Sequence, residues 1–351
     1  MLPIRPAGAV RAALLAAALL NAGSAFSNET GELIWARIAS GMCIVDENQP
    51  ETVNWARYYA RDPAQLTQLL ARAEPFLWYI VEAVELRDMP LEIALLPAVE
   101  SSFNPNARSS QKARGLWQFV PSTGRAMGLR ENAHYDARRD AVASTRAALS
   151  YLTTLHRRFD GDWLLALAAY NVGGRSLAEA MDAAHSRDFW KLDLPTETRE
   201  HVPRLLGLAL LVKEPQRFGV TLPPVLNKHA AELIVLKHPH DLESAALKAR
   251  VSAETLARFN PGLKTLSNSQ GKHWLLLPPD DAMRLRAELA LRTYKPRKDL
   301  PPRQHVVADG ESLWLIAHRY QISVAQLREW NGLPPAVVLK PGRKLLIRTA
   351  G

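Results

Sequence analysis

The stretch PLEIALLPAVESSFNPNARSSQKARGLWQFVPSTGRAMGL, residues 90–129, decides how the rest of the chain is interpreted. Residues 91–101 predict a helix with Pro90 at its start, where the missing N–H of proline would be unpaired in any case. One face of this helix is apolar and also carries a carboxylate. Its members are spaced i, i+3, i+4 and i+7: Ile93, Leu96, Pro97 and Glu100.

Glu100 on such a face would have the surroundings of a general acid. Burial disfavours the charged form of a carboxyl group, so a buried acid holds its proton to higher pH and can donate it in catalysis. Residues 104–106, Asn-Pro-Asn, are expected to stop the helix and to leave Glu100 near a loop-lined surface. The alternative is a glutamate tolerated at a helix end, and spacing alone does not decide between the two.

Two further segments carry polar groups that suit a sugar substrate. Residues 115–118, GLWQ, combine a glycine that allows close backbone approach with an indole and an amide, although plain core packing explains them as well. Tyr170 lies on the inward face of a helix predicted over 163–171, which Asp162 caps and Gly173 ends. Its phenol needs a hydrogen-bond partner, either a carboxyl on a neighbouring helix or a backbone group.

Composition excludes several classes of function. The 351 residues, 47% of them hydrophobic, suggest two or three domains, and the net charge of +9 suits an anionic partner. No long basic block is interleaved with aromatic residues, so we expect no nucleic acid partner. The single cysteine, Cys43, excludes an intrachain disulfide and is expected to be buried. Because metal-ligand patterns, phosphate-binding glycine loops and a nucleophile elbow are missing, we expect no metal and no cofactor.

The chain divides into successive predicted segments. Residues 1–25 have the positive start, the short apolar run and the small-residue cleavage site of a signal peptide. No cysteine near the cleavage point supports a lipid anchor, and we expect no transmembrane helix in the mature chain. The remaining segments are a helical region at 26–89, a domain containing Glu100 at 90–220, a linker at 221–230, a degenerate module at 231–280, a charged and proline-rich spacer at 281–303, and a second module at 304–348.

The two C-terminal modules form an internal repeat. Positions between 242 and 260 recur 71 residues later, and Asn260 corresponds to Asn331 in this alignment. Each unit is predicted to run strand, helix, helix, strand. Two small modules on a tether suggest bivalent binding, which raises the effective concentration at a polymer.

Three motifs, in this order, resemble the signatures of the soluble lytic transglycosylase family: Glu100-Ser101 followed by Phe103, GLWQ at 115–118, and Ala169-Tyr170-Asn171. The terminal repeats resemble LysM modules, the second clearly through DGESLW at 309–314 and the first weakly. The resemblance covers nearly all of residues 30–348. It implies a mainly α catalytic domain, lysozyme-like and of the α+β superfamily, followed by two small βααβ LysM-like modules.

The chain departs from this family pattern at two positions. Residue 201 is His where the family usually has Tyr, and residue 175 is Arg where the family usually has the second glycine of Gly-x-Gly. The resemblance implies that peptidoglycan glycan strands are both substrate and partner, in the periplasm or cell envelope. It leaves peripheral association with the outer membrane or cell wall open.

The resemblance also implies roles for individual residues. Glu100 would be the catalytic acid and then the base at the MurNAc-β-1,4-GlcNAc bond, forming a 1,6-anhydro-MurNAc end, and Tyr170 would position it. The candidates for substrate binding are Ser101, Gln118, Asn171 and, as a pocket wall, Trp117. Two alternatives stay open: a lysozyme-type hydrolase that uses water, and a non-catalytic scaffold that binds peptidoglycan.

Overall fold

Prolines and aspartates mark the starts of many helices in the N-terminal two thirds of the chain. The structure, a computed structural model, describes residues 32–235, 242–265, 274–293 and 304–347, apart from 310, 321, 335, 336 and 338. The predicted signal peptide lies outside the described residues. Asp62, Asp140 and Asp162 each accept a hydrogen bond from a first-turn backbone N–H, which satisfies a donor that the helix itself leaves free.

Residues 32–230 form a helical domain. Its α-helices are α1 (Ile34–Ser40), α2 (Pro50–Ala60), α3 (Pro63–Ala71), α4 (Glu74–Glu85), α5 (Leu96–Ser101), α6 (Pro121–Ala126), α7 (Ala141–Arg158), α8 (Trp163–Val172), α9 (Gly174–Ala184) and α10 (Thr196–Lys213). Short 3-10 helices span Leu91–Leu95, Phe189–Lys191 and Pro215–Phe218.

One apolar core runs through the whole helical domain. Ile34 and Ile38 of α1 belong to the same buried cluster as Leu167 of α8 and Leu208 of α10. The described parts of the predicted regions 26–89 and 90–220 therefore fold around a shared core. The predicted linker also packs on this domain, because the indole N–H of Trp35 donates to the carbonyl of Pro223 at 2.7 Å.

Two features of the helical domain concern its surface. Cys43 was expected to be buried, but it is exposed in the segment after α1, so this prediction is wrong. Across the described ranges, no helix combines the length and the apolar character needed to cross a membrane.

The helix predicted over residues 91–101 is present in two parts. It begins as the 3-10 helix Leu91–Leu95 and continues as α5. Pro97 has no N–H to donate to the carbonyl four residues earlier, so a regular α-helical ladder can start only at this point. The helix ends at Ser101, before the predicted stop at 104–106, because Ser102 turns into the left-handed region with φ 53°.

Both C-terminal modules have the predicted order of elements. The first module (residues 232–293) contains β1 (Glu232–Val235), α11 (Leu242–Lys248), α12 (Ala253–Phe259), β2 (Trp274–Leu277) and α13 (Pro279–Thr293). The second module (residues 304–347) contains β3 (Gln304–Val306), α14 (Leu313–Arg319), α15 (Val324–Asn331) and β4 (Lys344–Leu346). In each module the two strands pair antiparallel.

The same asparagine ties helix to strand in each module. Asn260 exchanges two hydrogen bonds with the backbone of Leu276, at 2.7 and 2.8 Å. Asn331 makes the same pair with Leu346, at 2.9 and 2.6 Å. The repeat predicted from the sequence is thus confirmed down to one side chain. The predicted spacer at 281–303 begins within α13, which packs on the first module through the fully buried Leu285, and residues 294–303 lie outside the described residues.

Both modules contact the helical domain. The backbone N–H of Asp136 donates to the carbonyl of Gly262 in the first module at 2.9 Å. Trp314 of the second module is 7% exposed and meets the ring of Tyr79 edge-on, with centroids 5.0 Å apart. The modules therefore cover part of the helical domain and do not hang from it as isolated units.

Candidate active site

Glu100 lies in a cleft of about 470 Å³ in the helical domain. The cleft is formed by the end of α5, the turn at residues 115–118, the end of α8 and the first turns of α10. The side chain of Glu100 is only 12% exposed, which agrees with the apolar helix face on which the sequence placed it. A carboxyl group in these surroundings is largely withdrawn from water yet borders an open space.

The chain immediately after Glu100 is strained. Ser102 and Phe103 both have positive φ, 53° and 54°, which costs a non-glycine residue roughly 1–2 kcal/mol. Phe103 offsets this by burying its ring in the core, where it is 1% exposed. The carbonyl of Ser102 also accepts a hydrogen bond from Arg72 at 2.9 Å. This sharp, anchored turn ends α5 within two residues of Glu100 and so exposes its last turn to the cleft.

The turn at residues 115–118 depends on Gly115, which has φ +84°. A Cβ atom there would lie 1.9 Å from the carbonyl oxygen of Arg138, so only glycine fits. Gln118 follows with φ 47°, and its side-chain amide donates to the carbonyl of Gly115 at 2.8 Å. Gln118 lines the cleft, and its role in substrate binding stays a prediction.

Ser101 and Trp117 do not line the cleft. The hydroxyl of Ser101 donates to the carbonyl of Leu116 at 2.9 Å and so ties α5 to the neighbouring turn. Trp117 is fully buried, and its indole N–H donates to the hydroxyl of Thr145 at 2.9 Å. The prediction that Trp117 forms a pocket wall is therefore wrong, because its ring fills the core behind the cleft. Ser101 therefore acts in the structure as a tether, and its predicted contact with a sugar stays a prediction.

Tyr170 borders the cleft and bonds to the backbone. Its hydroxyl donates to the carbonyl of Trp117 at 2.8 Å, so the backbone alternative holds and a direct bond to Glu100 does not. Burial, with the nearby Glu100 carboxylate and Tyr151 as smaller contributions, raises the pKa of Tyr170 well above its usual value. The phenol therefore keeps its proton and holds α8 against the 115–118 turn.

Asn171 lines the cleft next to Tyr170. Its side-chain oxygen accepts a hydrogen bond from the hydroxyl of Thr198 on α10 at 2.6 Å, which fixes the orientation of the amide. Gly173 ends α8 with φ +92°, and α9 starts directly at Gly174. Arg175 points into solvent and pairs with Glu179 at 2.8 Å, so this departure from the family pattern lies outside the cleft.

His201 is the residue of the site that sequence reasoning missed. It sits in the early part of α10, is 6% exposed, and places Nε2 at 2.8 Å from Oε1 of Glu100. Its Nδ1 atom is buried and has no hydrogen-bond partner among the described residues. The only signal in the sequence was the unusual residue type at position 201, since helix spacing cannot show a contact across 101 residues.

Two more charged side chains line the cleft from α10. Glu197 is exposed, in contrast to Glu100. Arg204 pairs with Glu200, and its guanidinium lies over the ring of Trp55, 4.6 Å from the centroid. The cleft therefore holds one largely buried carboxyl and one solvated carboxyl.

The ion pairs around Asp136 are structural. Asp136 is fully buried and bonds to Arg138 at 2.9 Å and to Arg114 at 3.3 Å. These contacts brace the loop behind Gly115. They do not reach the cleft.

Comparison with known proteins supports the assignment of both regions. Residues 80–192 match the model of the transglycosylase SLT domain, and residues 305–348 match the LysM domain. The chain is 36% identical over 112 residues to the peptidoglycan transglycosylase gp16 of Escherichia phage T7, covering 31% of this chain and 8% of that protein.

A longer match is to membrane-bound lytic murein transglycosylase D of Escherichia coli strain K12. It is 39% identical over 302 residues, which cover 82% of this chain and 67% of that protein. On this similarity, the chain belongs to the family of lytic murein transglycosylase D.

Proposed function

We propose that this protein is a lytic transglycosylase that cleaves the MurNAc-β-1,4-GlcNAc bond of peptidoglycan and leaves a 1,6-anhydro-MurNAc end. The observation that carries the proposal is Glu100, a carboxyl that is 12% exposed at the edge of a cleft of about 470 Å³. Such a group can hold a proton and deliver it to a sugar oxygen.

Glu100 serves both proton transfers of this reaction. It first protonates the glycosidic oxygen as the C1–O bond breaks, and the carboxylate then accepts the proton of the C6 hydroxyl as that oxygen bonds to C1. The nucleophile belongs to the substrate, so no second buried carboxylate is needed, unlike in most glycosidases. The 2-acetamido group of the substrate can stabilise positive charge at C1 between the two steps.

Other side chains of the cleft have supporting roles in this proposal. Gln118 and Asn171 offer amide groups for the N-acetyl and hydroxyl groups of the sugars, and both line the cleft. Tyr170 positions Glu100 indirectly, by holding α8 against the turn at 115–118. The positive net charge of +9 suits a polymer that carries the carboxylates of stem peptides.

The second module is proposed to bind GlcNAc-rich glycan, and the protein is proposed to act in the periplasm. Binding can be measured with the Glu100→Gln chain, which would not degrade purified sacculi. Removal of residues 304–351 should weaken its pull-down, while melting curves verify that the helical domain stays folded. Equal pull-down by both chains would contradict a binding role for this module.

The products of digestion test the reaction itself. Mass spectrometry of sacculi treated with the protein should show muropeptides ending in anhydro-MurNAc. Reducing ends without the anhydro sugar would mean a lysozyme-type hydrolase, and no release at all would mean a non-catalytic scaffold.

Glu197→Gln offers a matched variant, because it removes the other carboxyl of the cleft. A transglycosylase should still form anhydro ends without it. A two-carboxylate hydrolase that uses Glu197 to activate water would lose its activity.

A further inference from the structure

The contact between His201 and Glu100 gives the proposed acid a defined partner. Nε2 of His201 lies 2.8 Å from Oε1 of Glu100, and both side chains are largely buried, with 7% and 12% exposed. The histidine is held by α10, which packs against α2, α5 and α8. A contact made by two packed helices is a fixed feature of the cleft and not a surface encounter.

The surroundings of the imidazole determine which nitrogen carries its proton. Nδ1 is buried, and no acceptor among the described residues is within hydrogen-bond distance. A buried N–H without a partner is rarer and more costly than a buried acceptor without a donor. The favoured form is therefore the neutral ring with its proton on Nε2, which donates to Oε1 of Glu100.

This hydrogen bond distinguishes the two oxygens of the acid. Oε1 accepts from His201, so the transferable proton of Glu100 resides on Oε2. We propose that His201 is a positioning residue that keeps the acid proton of Glu100 on Oε2 and stabilises the carboxylate formed between the two proton transfers. This inference rests on the proposed transglycosylase function of Glu100.

The protons balance in this scheme. Oε2 gives its proton to the glycosidic oxygen as the C1–O bond breaks, and Oε2 later takes the proton of the C6 hydroxyl as the C1–O6 bond forms. The Nε2 proton of His201 stays on the ring throughout. Its hydrogen bond becomes stronger while Glu100 is ionised, because a charged acceptor makes a shorter and stronger bond.

The unpartnered Nδ1 also disfavours an inactive arrangement of the same protons. An imidazolium beside a Glu100 carboxylate has as many protons as the neutral pair, but it leaves none on the acid. It also requires a proton on Nδ1, where the described residues offer no acceptor. The unpartnered Nδ1 atom therefore disfavours this arrangement of the pair.

Few other ionisable groups face this pair. Tyr170 of α8 lines the same cleft as Glu100, and burial raises the pKa of this phenol, which keeps it protonated. Several charged side chains on neighbouring elements have partners of their own: Arg37 of α1 pairs with Glu82 and Glu85, Glu92 of the 3-10 helix Leu91–Leu95 accepts from the N–H groups of Ile44 and Val45, and Arg217 pairs with Glu214. Two further phenols lie beside other groups, Tyr59 of α2 beside Arg204 and Tyr151 of α7 beside Tyr170. On α10 itself, Glu197 is exposed and Glu200 pairs with Arg204.

Two substitutions separate the donated hydrogen bond from the charge of the ring. His201→Gln keeps an N–H donor near the position of Nε2 but cannot become a cation. His201→Phe removes both the donor and the charge. His156→Gln is a matched control, because His156 stacks on Trp163, with ring centroids 3.9 Å apart, and does not line the cleft.

The readout is the pH dependence of kcat on soluble glycan fragments, with anhydro products counted by mass spectrometry. Without the donor, the carboxylate form of Glu100 is disfavoured, so the loss of activity on the alkaline side should move up by about 1 to 2 pH units in His201→Phe. Its kcat at the optimum should fall roughly tenfold or more. His201→Gln and His156→Gln should keep the alkaline limb of the wild type.

The outcomes are decisive even if a variant is less stable, since a smaller folded fraction lowers the rate but does not move the pH profile. If the limb is unchanged in His201→Phe, or shifts as far in His201→Gln, the inference is overturned. The second result would mean that the charge of the ring matters and not its donated hydrogen bond. If instead the wild type forms no anhydro products, it is the proposed function that fails.

The tautomer can also be measured directly. In protein with ¹⁵N-labelled histidine, the ring nitrogens of His201 should show a protonated Nε2 and an unprotonated Nδ1 at neutral pH. A signal from a protonated Nδ1 would contradict the inference independently of any activity.

Discussion

Two histidine–glutamate pairs in this protein have nearly the same length and very different surroundings. In the cleft, His201 and Glu100 are 2.8 Å apart. In the second module, His305 and Glu311 are 2.7 Å apart. Both histidines are 6% exposed. What differs is how many of the remaining polar atoms have partners.

Every part of the pair in the second module is satisfied. The Nδ1 atom of His305 lies 3.1 Å from the hydroxyl of Tyr320, and Glu311 also accepts from the backbone of Ala308 and pairs with Arg319. Burial opposes ionisation of Glu311, but the hydrogen bond from Ala308, the contact with His305 and the charge of Arg319 outweigh it and lower its pKa. This carboxylate is held ionised and cannot act as an acid near neutral pH.

The pair in the cleft lacks these partners. No arginine pairs with Glu100 among the described residues, and Nδ1 of His201 is unpartnered. The two pairs thus differ in their outer hydrogen bonds and hardly in length. On the proposed function of Glu100, this difference separates a fully bonded pair that stabilises the fold from a partly bonded pair that keeps a proton available for transfer.

The largest effect is expected when the acid of the cleft pair, Glu100, is replaced. Glu100→Gln keeps the size of the side chain and its ability to accept from His201, but it removes the transferable proton. We expect the release of anhydro-muropeptides to fall by at least the 10²–10⁴-fold that general acid–base catalysis typically supplies. Thermal melting should change little, since the amide has the size of the carboxyl group and its oxygen still accepts the hydrogen bond from His201. Release at the wild-type rate would contradict the assignment of Glu100.

Local features of the sequence predicted most of the fold. The cap at Asp162 and the end of α8 at Gly173 are confirmed, because each depends on residues within one helical turn. The repeat of the two modules is also confirmed, since Asn260 and Asn331 recur at one offset and make the same bonds. Such signals need no knowledge of how distant segments meet.

The candidate site was less predictable, because its contacts join distant segments. The spacing of α5 placed Glu100 on a buried face, but it could not show that His201 on α10 would meet it. Nor could it show that the hydroxyl of Tyr170 would choose a backbone carbonyl over the carboxyl. Trp117 was misjudged because an indole suits a sugar platform and a core equally well, and only packing decides between them.

The next largest effect is expected in the second module. Glu311→Gln removes a carboxylate that is 10% exposed in its side chain and bonded to charged partners, which should cost the module roughly 1.5–3 kcal/mol at neutral pH. Because the pKa of Glu311 is lowered in the fold, its contribution is present above the ordinary pKa of a glutamate, about 4.3, and is lost as the pH falls through the lowered value. The variant should therefore approach the wild type in stability only in acid.

Hydrogen exchange of residues 304–347, measured at neutral and acid pH, would test this dependence. The exposed Glu197 gives a matched Glu→Gln control whose substitution should leave exchange in the second module unchanged. A Glu311→Gln module that lost the same stability at every pH would contradict the role given to the ionised carboxylate.

The smallest effect is expected from a substitution that makes the pair of His305 and Glu311 resemble the cleft pair. Tyr320→Phe removes only the phenol hydroxyl, which leaves Nδ1 of His305 without this partner, like Nδ1 of His201. Loss of one neutral hydrogen bond should cost about 0.5–1.5 kcal/mol, seen as faster hydrogen exchange in residues 304–347. Tyr58→Phe is the matched control, because that phenol is on an exposed residue of α2 and its loss should leave the module unchanged.

In ¹⁵N-histidine spectra, Tyr320→Phe should also favour the form of His305 with its proton on Nε2, since an N–H at Nδ1 would have lost its acceptor. If His305 kept a protonated Nδ1 in this variant, the outer partner would not control the proton, and the interpretation of the unpartnered His201 would be wrong for the same reason.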